Sequence, residues 1–186
     1  MQAAATHLRP VPDPPDQLET LFREHHERIF RTAYRITGSA SDAEDVLQTV
    51  FLRLARRGEG EEFAPSPGSY FQRAAINASL DLMRSRSRSP SVSFEEVESG
   101  LIESPGQSPE AQHAERELRG LIQQAVARLG TRAAEIFILR HYEGYGNREI
   151  AEMLGTSQMV VAVTLHRACG RLRKDIGKFL EKSHEA

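Results

Sequence analysis

Apolar residues recur at helical spacing in two blocks of this 186-residue chain, and this pattern constrains the fold more than any other feature. The blocks cover residues 18–82 and 118–179. Spacings of three and four residues place apolar side chains on one face of a helix, and no run alternates as a strand would. Residues 89–108, between the blocks, contain Ser, Pro, Glu and Gly with little periodicity. The sequence therefore predicts an all-α fold, with two small helical domains joined by a flexible acidic linker.

Composition and punctuating residues set the domain boundaries. Residues 1–15 are rich in Pro and Ala and are predicted to form a disordered N-terminal tail. The first helical domain is predicted at 16–88, the linker at 89–112 and the second helical domain at 113–182.

Local signals predict where the helices begin and end. Gly38 and Gly155 are expected to end helices, since glycine tolerates the left-handed conformation found there. Residues 41–44, Ser-Asp-Ala-Glu, have the pattern of a capping box. Thr131 and Asn147 are predicted to cap the helices that follow them.

The overall composition, with 39% hydrophobic and 27% charged residues, is that of an ordinary globular protein. No apolar run approaches the ~20 residues of a membrane span, and no apolar block suggests a signal peptide. We therefore expect a cytoplasmic location and no membrane segment. The single cysteine, Cys169, rules out an internal disulfide framework and is more commonly a packing residue than a redox sensor.

The formal net charge of −2 conceals segments of opposite sign. Residues 84–88 and 167–178 are basic, whereas the stretch 95–110 between them is acidic. Local patches decide phosphate attraction, because screening confines electric fields to about 8–10 Å at cellular salt. Nucleic acid therefore remains a plausible partner despite the net negative charge.

Sequence patterns for catalysis or metal binding are missing. The chain has no Gly-rich phosphate loop and no Cys/His set with zinc spacing. His25 and His26 are adjacent, so they cannot share a helix face as a metal-binding pair would. We expect no catalytic residues, no metal and no cofactor.

The second domain contains the spacing of a helix-turn-helix, in which a small residue lets two helices approach and a glycine turns the chain. A generic helical hairpin is the alternative, and the basic residues that follow favour DNA. The residues that define this spacing are Ile150, Ala151, Leu154, Gly155, Ser157, Val161 and Leu165.

Two segments of the first domain carry further polar patterns. In residues 42–53 one helix face is apolar, and the other is an acidic and amide face that is either solvated or docks on another protein. Residues 70–88 combine aromatic side chains with Arg and Asn, which suits single-stranded DNA through stacking worth ~1–3 kcal/mol per base. Tyr70 and Phe71 also lie at core spacing, so a purely structural role is the alternative there.

Taken together, these segments resemble the extracytoplasmic-function (ECF) group of bacterial sigma factors, the promoter-specificity subunits of RNA polymerase. LFREHHERIFRTAYRITGSASDAEDVLQTVFLRL is similar to that family's polymerase-docking helices. SYFQRAAINASLDLMRSRSR is similar to its −10 element reader. LIQQAVARLGTRAAEIFILRHYEGYGNREIAEMLGTSQMVVAVTLHRACGRLRK is similar to its −35 reader. The resemblance covers roughly residues 18–180 apart from the acidic linker.

The resemblance implies a set of binding residues. The β′ clamp helices of core RNA polymerase would meet Asp42, Asp45, Gln48 and Thr49. The −10 element would meet Tyr70, Arg73, Asn77, Arg84, Arg86 and Arg88, with Asn77 near the pocket for a flipped base and the loop 60–69 closing over it. The −35 element would meet Gln158, Ala162, His166, Arg167, Arg171 and Arg173. The polymerase β flap and an anti-sigma factor are further implied partners.

This chain departs from the family pattern at the −35 helix. The family usually has Lys or Arg where this chain has Ala162 and Thr164, and often Trp where it has Tyr70. Residues 129–132, Leu-Gly-Thr-Arg, replace a usual Leu-Pro-Pro opening. We therefore expect weak direct recognition of −35 bases, with backbone phosphate contacts positioning the helix and Ala162 and Val163 contacting thymine methyls or fitting a DNA shape.

The function that this resemblance implies is promoter recognition by an ECF sigma factor that binds core polymerase and directs DNA-dependent transcription initiation. Two alternatives stay open at the level of sequence. One is a helix-turn-helix regulator that acts without polymerase docking. The other is a polymerase-binding adaptor with degenerate DNA recognition.

Overall fold

The computed structural model describes residues 17–57, 65–88 and 109–184, and the regular elements within these ranges are all α-helices. The predicted tail and the linker residues 89–108 lie outside the described residues, as do residues 60–64 of the predicted base-closing loop. The all-α fold class is confirmed. In chain order the helices are α1 (Gln17–Thr37), α2 (Ala40–Arg57), α3 (Pro67–Arg88), α4 (Pro109–Ala127), α5 (Thr131–His141), α6 (Asn147–Met153) and α7 (Gln158–His184).

Helices α1, α2 and α3 pack against one another to form the N-terminal domain. Phe71 lies at the centre of its core at 0% exposure, with its ring 5.5 Å from that of Phe51. Aliphatic side chains of α1 and α2 surround it, in agreement with a sequence that has no Trp and few aromatic residues. The buried residues of this core are Ile29, Ala33, Ala43, Val46, Val50, Leu54, Phe71, Ala75 and Ala78.

Helices α4 to α7 form the C-terminal domain around a second aliphatic core. The long helix α7 contacts α4, α5 and α6, so it is the scaffold of the domain. Its buried face consists of Val161, Ala168 and Leu172, which are spaced seven and four residues apart. Helix α4 begins at Pro109, so the last four residues of the predicted linker are already helical.

The two domains share one hydrophobic core. Ile36 of α1 and Ile76 and Leu80 of α3 are at most 1% exposed and pack with the C-terminal cluster around Leu139 and Val126. Full burial of one such side chain contributes about 1.5–3 kcal/mol. The described parts of the two domains therefore form a single packed body, whereas the sequence suggested two units connected only by a tether.

Helix ends confirm the predicted glycine stops and correct the predicted caps. Gly38 and Gly155 have φ angles of 72° and 59°, in the left-handed region, directly after helical segments. Helix α2 is capped by Ser39, whose Oγ accepts a hydrogen bond from the Asp42 amide at 3.3 Å, so the predicted capping box at 41–44 is wrong by two residues. The N-caps of α5 and α6 are Gly130 and Gly146, each one residue before the predicted caps Thr131 and Asn147.

Two members of the predicted apolar stripes lie at the surface. Phe22 is 41% exposed and Leu118 is 42% exposed. The ring of Phe22 lies 4.9 Å from Phe51 and stacks at 5.0 Å on His26, so it packs at the edge of the core. Helical spacing identifies which face of a helix is buried, but it does not show where along the helix the neighbouring helices stop covering that face.

Candidate nucleic-acid and polymerase interfaces

The C-terminal domain contains the predicted helix-turn-helix. Ile150 in α6 and Val161 in α7 are both 0% exposed and belong to one cluster. Gly155 turns the chain between the helices, and the Ser157 hydroxyl accepts a hydrogen bond from the Val160 amide at 3.2 Å. This cap fixes the start of α7, because first-turn amides have no partner within the helix.

All six residues predicted for −35 contacts lie on α7 outside its buried stripe, and each of them is exposed. Arg167, Arg171 and Arg173 follow the start of the helix by two to four turns, where their guanidinium groups can reach DNA phosphates. Which of these side chains contacts DNA stays a prediction.

The first two turns of α7 present an exposed apolar patch that the prediction only partly covered. Met159 is 71% exposed, Val160 is 47% exposed and Val163 is 40% exposed. Met159 and Val163 are four residues apart, so they lie on the same outer face. Ala162 is exposed beside them. The exposure of Met159 and Val160 could have been predicted from the sequence. Both residues come just before Val161, which was assigned to the buried face of the helix, so their side chains point away from that face.

Three residues predicted for −10 DNA lie on one side of α3. Arg73, Asn77 and Arg84 are four and seven residues apart, which places them within about 40° of one another around the helix axis. We call this surface the Arg73 face. It points at the C-terminal domain, because α3 packs against α4 and α5 and Arg73 also contacts Met153 of α6. These three side chains are therefore partly covered by the C-terminal domain.

Arg73 is bound to the C-terminal domain through Glu135 of α5. Its Nε donates to Oε1 of Glu135 at 2.9 Å, and its Nη1 donates to the Met153 carbonyl at 3.4 Å. The carboxylate of Glu135 is buried, with a side-chain exposure of 4%, and its second oxygen lies 3.5 Å from Arg132 Nη1. A buried carboxylate needs such partners, so Arg73 stabilises Glu135 as much as Glu135 holds Arg73.

Arg84 of α3 binds the backbone at the carboxyl end of α4. Its Nε and Nη2 donate to the carbonyls of Ala127 and Leu129, each at 3.0 Å, and its Nη1 donates to Thr131 Oγ1 at 3.2 Å. A guanidinium at this position satisfies carbonyls that lack helical partners and opposes the negative end of the helix dipole. All three guanidinium nitrogens are thus engaged by the C-terminal domain.

Asn77 lies between these two arginines and its amide oxygen is buried without a hydrogen-bond partner. Unpaired buried polar atoms are uncommon in proteins and each calls for an explanation. Among the described residues, His25 and Glu143 also carry such an atom, and Asn77 is the one of the three that the family resemblance places near a flipped base.

Contacts from α1 complete the cross-domain seam. Arg28 donates across the seam to the hydroxyl of Tyr145, and within its own domain to Gln72 Oε1 at 2.8 Å. Arg35 Nη1 lies 3.3 Å from Glu143 Oε2. Gln123 of α4 donates to the carbonyl oxygen of Ile36 at 3.0 Å. Charged, amide and apolar contacts therefore run along the whole seam.

The predicted polymerase-binding face of α2 needs one correction. Asp42 is 3% exposed, and both of its carboxylate oxygens accept hydrogen bonds from the guanidinium of Arg86. Asp42 thus fastens α2 to α3 and is not presented to a partner, and Arg86 is engaged with it. Asp45 and Gln48 are exposed and Thr49 is half-buried, so the remaining face is smaller than predicted.

The other predicted −10 residues have local partners. Tyr70 is half-buried with its ring edge-on to Phe71 at 5.4 Å, so it packs at the rim of the N-terminal core. Arg88 is exposed and donates to the carbonyl of Arg84 at 3.1 Å. The ring of His25 also packs against Phe71, with the ring centroids 4.6 Å apart. Burial is the main cause that lowers the pKa of the His25 imidazole.

The described ranges contain no cluster of three or more His, Cys, Asp or Glu side chains able to hold a metal ion. None of the described helices is both long enough and apolar enough to cross a membrane. Cys169 is half-buried on α7, with its sulfur 3.9 Å from His141 Nε2.

Comparison with known proteins places two sigma-70 family regions along the chain. Residues 21–89 match the Sigma-70 region 2 family, and residues 119–172 match the Sigma-70, region 4 family. The chain is 32% identical over 161 residues to the RNA polymerase sigma-E factor of Streptomyces coelicolor, covering 86% of each protein. It is 33% identical over 158 residues to the ECF RNA polymerase sigma factor SigL of Mycobacterium tuberculosis, covering 84% of this chain and 86% of the relative.

Among solved structures, the sigma factor RpoE in complex with the anti-sigma factor NepR from Bartonella quintana is similar with a TM-score of 0.49 and 18% identity. That likeness covers 85% of this chain and 95% of the other. The family matches follow the two domains described above, one on α1 to α3 and one on α4 to α7. This chain belongs to the ECF group of the sigma-70 family of RNA polymerase sigma factors.

Proposed function

We propose that this chain binds core RNA polymerase, recognises the −10 and −35 elements of promoters and directs transcription initiation. The observation that carries the proposal is the presence, in one chain, of both sigma-70 regions, with an exposed helix-turn-helix in the second. A regulator that acted without polymerase would need the helix-turn-helix alone. The polymerase would supply the chemistry of nucleotide addition, and this chain would act by binding.

Polymerase docking is assigned to α2. Asp45 and Gln48 project from it into solvent, and an acidic and amide surface complements a basic partner helix. Asp42 supports this surface from beneath through its pair with Arg86. The clamp helices of β′ are the partner that the family resemblance suggests for this surface.

Capture of the melted −10 strand is assigned to the Arg73 face together with Tyr70. Arg73 and Arg84 supply positive charge for phosphates, and Asn77 supplies an amide whose oxygen has no partner within the protein. Unstacking a base costs a few kcal/mol, which aromatic stacking and hydrogen bonds offset in the bound state.

Duplex positioning at the −35 element is assigned to α7. Its arginines contact phosphates, and its apolar patch faces the base edges. Neither domain needs high affinity by itself, because joining two binding modules raises the effective concentration of the second contact. An anti-sigma factor that holds the chain inactive remains an expected partner on the grounds of the family resemblance.

The test is promoter-dependent run-off transcription with purified core polymerase from the source organism and a set of its genomic promoter fragments. We expect discrete transcripts only when both core and this chain are present. A chain that binds core yet starts no transcript would be the polymerase-binding adaptor. A chain that shifts palindromic duplex as a dimer and leaves core unbound would be the conventional regulator.

A further inference from the structure

The outer face of α2 carries an apolar side chain between charges of opposite sign. Asp45, Leu52 and Arg56 are seven and four residues apart, which places them within about 40° of one another around the helix axis. Gln48 lies beside Leu52, and all four residues are exposed, Leu52 at 56%. We call these four residues the α2 face. Its charge is negative towards the amino end of the helix and positive towards the carboxyl end.

Such a face is complementary to an antiparallel copy of itself. In a two-fold interface, residue i of one copy meets residue j of the other, and j meets i. Reversing the helix direction therefore brings Asp45 of each copy opposite Arg56 of the other. A face with charges of one sign would instead repel its own copy. We propose that a second copy of this chain binds the α2 face and forms a two-fold dimer.

The axial spacing of the α2 face fits this pairing. Asp45 and Arg56 are eleven residues apart, or about 16 Å along the axis. Leu52 lies about 2 Å from the midpoint between them, so the two copies of Leu52 meet next to the symmetry axis. Each copy thus buries its exposed leucine against the other, between an ion pair at either end of the contact.

A second apolar side chain lies at the border of the α2 face. Phe22 of α1 is 41% exposed, and its ring lies 4.9 Å from that of Phe51, the residue before Leu52. Burial of apolar surface favours association, whereas surface ion pairs contribute little by themselves and mainly fix the orientation. Two helices in contact make a small interface, in the class below about 1,200 Å² that gives weak complexes. We therefore expect a dissociation constant in the micromolar range.

A dimer of this kind covers the surface assigned to polymerase docking. Asp45 and Gln48 take part in both contacts, so one α2 helix binds either its copy or core polymerase. This consequence rests on the proposed function, whereas the dimer itself does not. Core polymerase binds the monomer and therefore draws chains out of the dimer by mass action.

Sedimentation velocity of the full chain, at concentrations from about 1 to about 200 µM, tests the dimer. We expect the average mass to rise with concentration from that of a monomer towards that of a dimer. Arg56→Glu places two acidic groups opposite each other at both ends of the contact, because each substitution occurs twice in a two-fold dimer. The dissociation constant should therefore increase about tenfold or more. Asp45→Arg should weaken the dimer similarly, since it brings two cations together.

Combining the two changes tests the pairing itself. The double variant Asp45→Arg with Arg56→Glu has opposite charges at both ends again, so it should dimerise like the wild type. A mixture of the two single variants should form a heterodimer at concentrations where each alone is monomeric. Arg148→Glu is the matched control, because it makes the same charge change at a side chain that is 79% exposed on α6. It should leave the dissociation constant unchanged.

Three results would overturn the proposal. The first is a wild-type chain that stays monomeric up to about 200 µM. The second is a double variant, with the circular dichroism of the wild type, that fails to dimerise. The third is a loss of association in Arg148→Glu equal to that in Arg56→Glu.

Titration of the fluorescently labelled dimer with core polymerase tests the shared face. We expect the dimer to disappear and each core to carry one labelled chain. A complex of core with two chains would overturn the competition. A chain that dimerises but does not bind core would leave the dimer standing and contradict the proposed docking.

Discussion

Arg73 Nε of α3 and Glu135 Oε1 of α5 lie 2.9 Å apart across the seam between the two domains. The arginine is 35% exposed, whereas the carboxylate is only 4% exposed. The partner that loses more from separation is therefore Glu135, which would keep only Arg132, at 3.5 Å. The contact ties the folded state of the C-terminal domain to the position of α3.

Leu80→Ala tests whether the shared core stabilises the fold. Leu80 is 0% exposed and packs in the C-terminal cluster, so truncation should lower the free energy of unfolding by about 2–5 kcal/mol. Urea denaturation followed by circular dichroism measures the loss. Leu52→Ala, at a position 56% exposed on α2, is the control and should change stability by no more than about 0.5 kcal/mol. Similar small losses for both variants would show that the domains do not pack in solution.

Asp42→Asn and Asp45→Asn should separate a structural aspartate from a docking one. The Asp42 change weakens a pair with Arg86 that is half in solvent, so we expect a loss of about 1–2 kcal/mol in unfolding free energy. The Asp45 change should leave stability intact and weaken binding to core polymerase. Denaturation curves and fluorescence-anisotropy titrations with core provide the two readouts. Weaker core binding for the Asp42 variant alone would reverse this assignment.

Replacing thymine by deoxyuridine tests how α7 contacts the −35 element. Deoxyuridine lacks only the C5 methyl, and loss of one buried methyl contact costs about 0.8 kcal/mol. We expect weaker holoenzyme binding at one or more thymines of the element, and the difference should vanish in Val163→Ala or Met159→Ala. His113→Ala, on the exposed part of α4, is a control that should keep the difference. Indifference to the methyl at every thymine would assign the apolar patch to another partner.

The half-buried imidazole of His25 should make stability sensitive to acid. Burial, the largest cause, and Arg28 lower its pKa from 6.5 in the folded state, against a smaller raising effect of Glu24. The unfolded chain therefore takes up the proton first, and stability falls as pH decreases from 6.5 through the folded-state pKa. His25→Gln should lose less stability than wild type between about pH 7.5 and about pH 5. His166→Gln, at an exposed position, should behave like wild type, and a parallel decline for all three proteins would contradict this account.

Helical periodicity was sufficient to predict the fold class and most of the helices. Gly38 and Gly155 marked real helix ends because a left-handed turn requires a residue without a Cβ. The caps were less predictable, since Ser39 and Ser41 are equally suitable by composition. Only the three-dimensional path of the chain decides which hydroxyl reaches the first free amide.

The seam between the domains could not be predicted from the sequence. Ile76 and Leu80 lie off the stripe that faces the N-terminal core, so a single-helix pattern gives them no partner. Arg73 and Arg84 were assigned to DNA through the family resemblance, and the sequence does not reveal that Arg73 pairs with a carboxylate 62 positions away. Contacts between residues distant in sequence depend on domain packing, which local spacing does not encode.

Strand opening at a promoter is the most direct measurement of the central claim, that this chain enables core polymerase to melt DNA. A genomic promoter fragment with 2-aminopurine in its −10 non-template strand is mixed with core, with the chain, or with both. Fluorescence should rise only with both present, and Asn77→Ala should reduce the rise while leaving core binding unchanged. A chain that binds core but produces no rise at any genomic promoter would contradict the account.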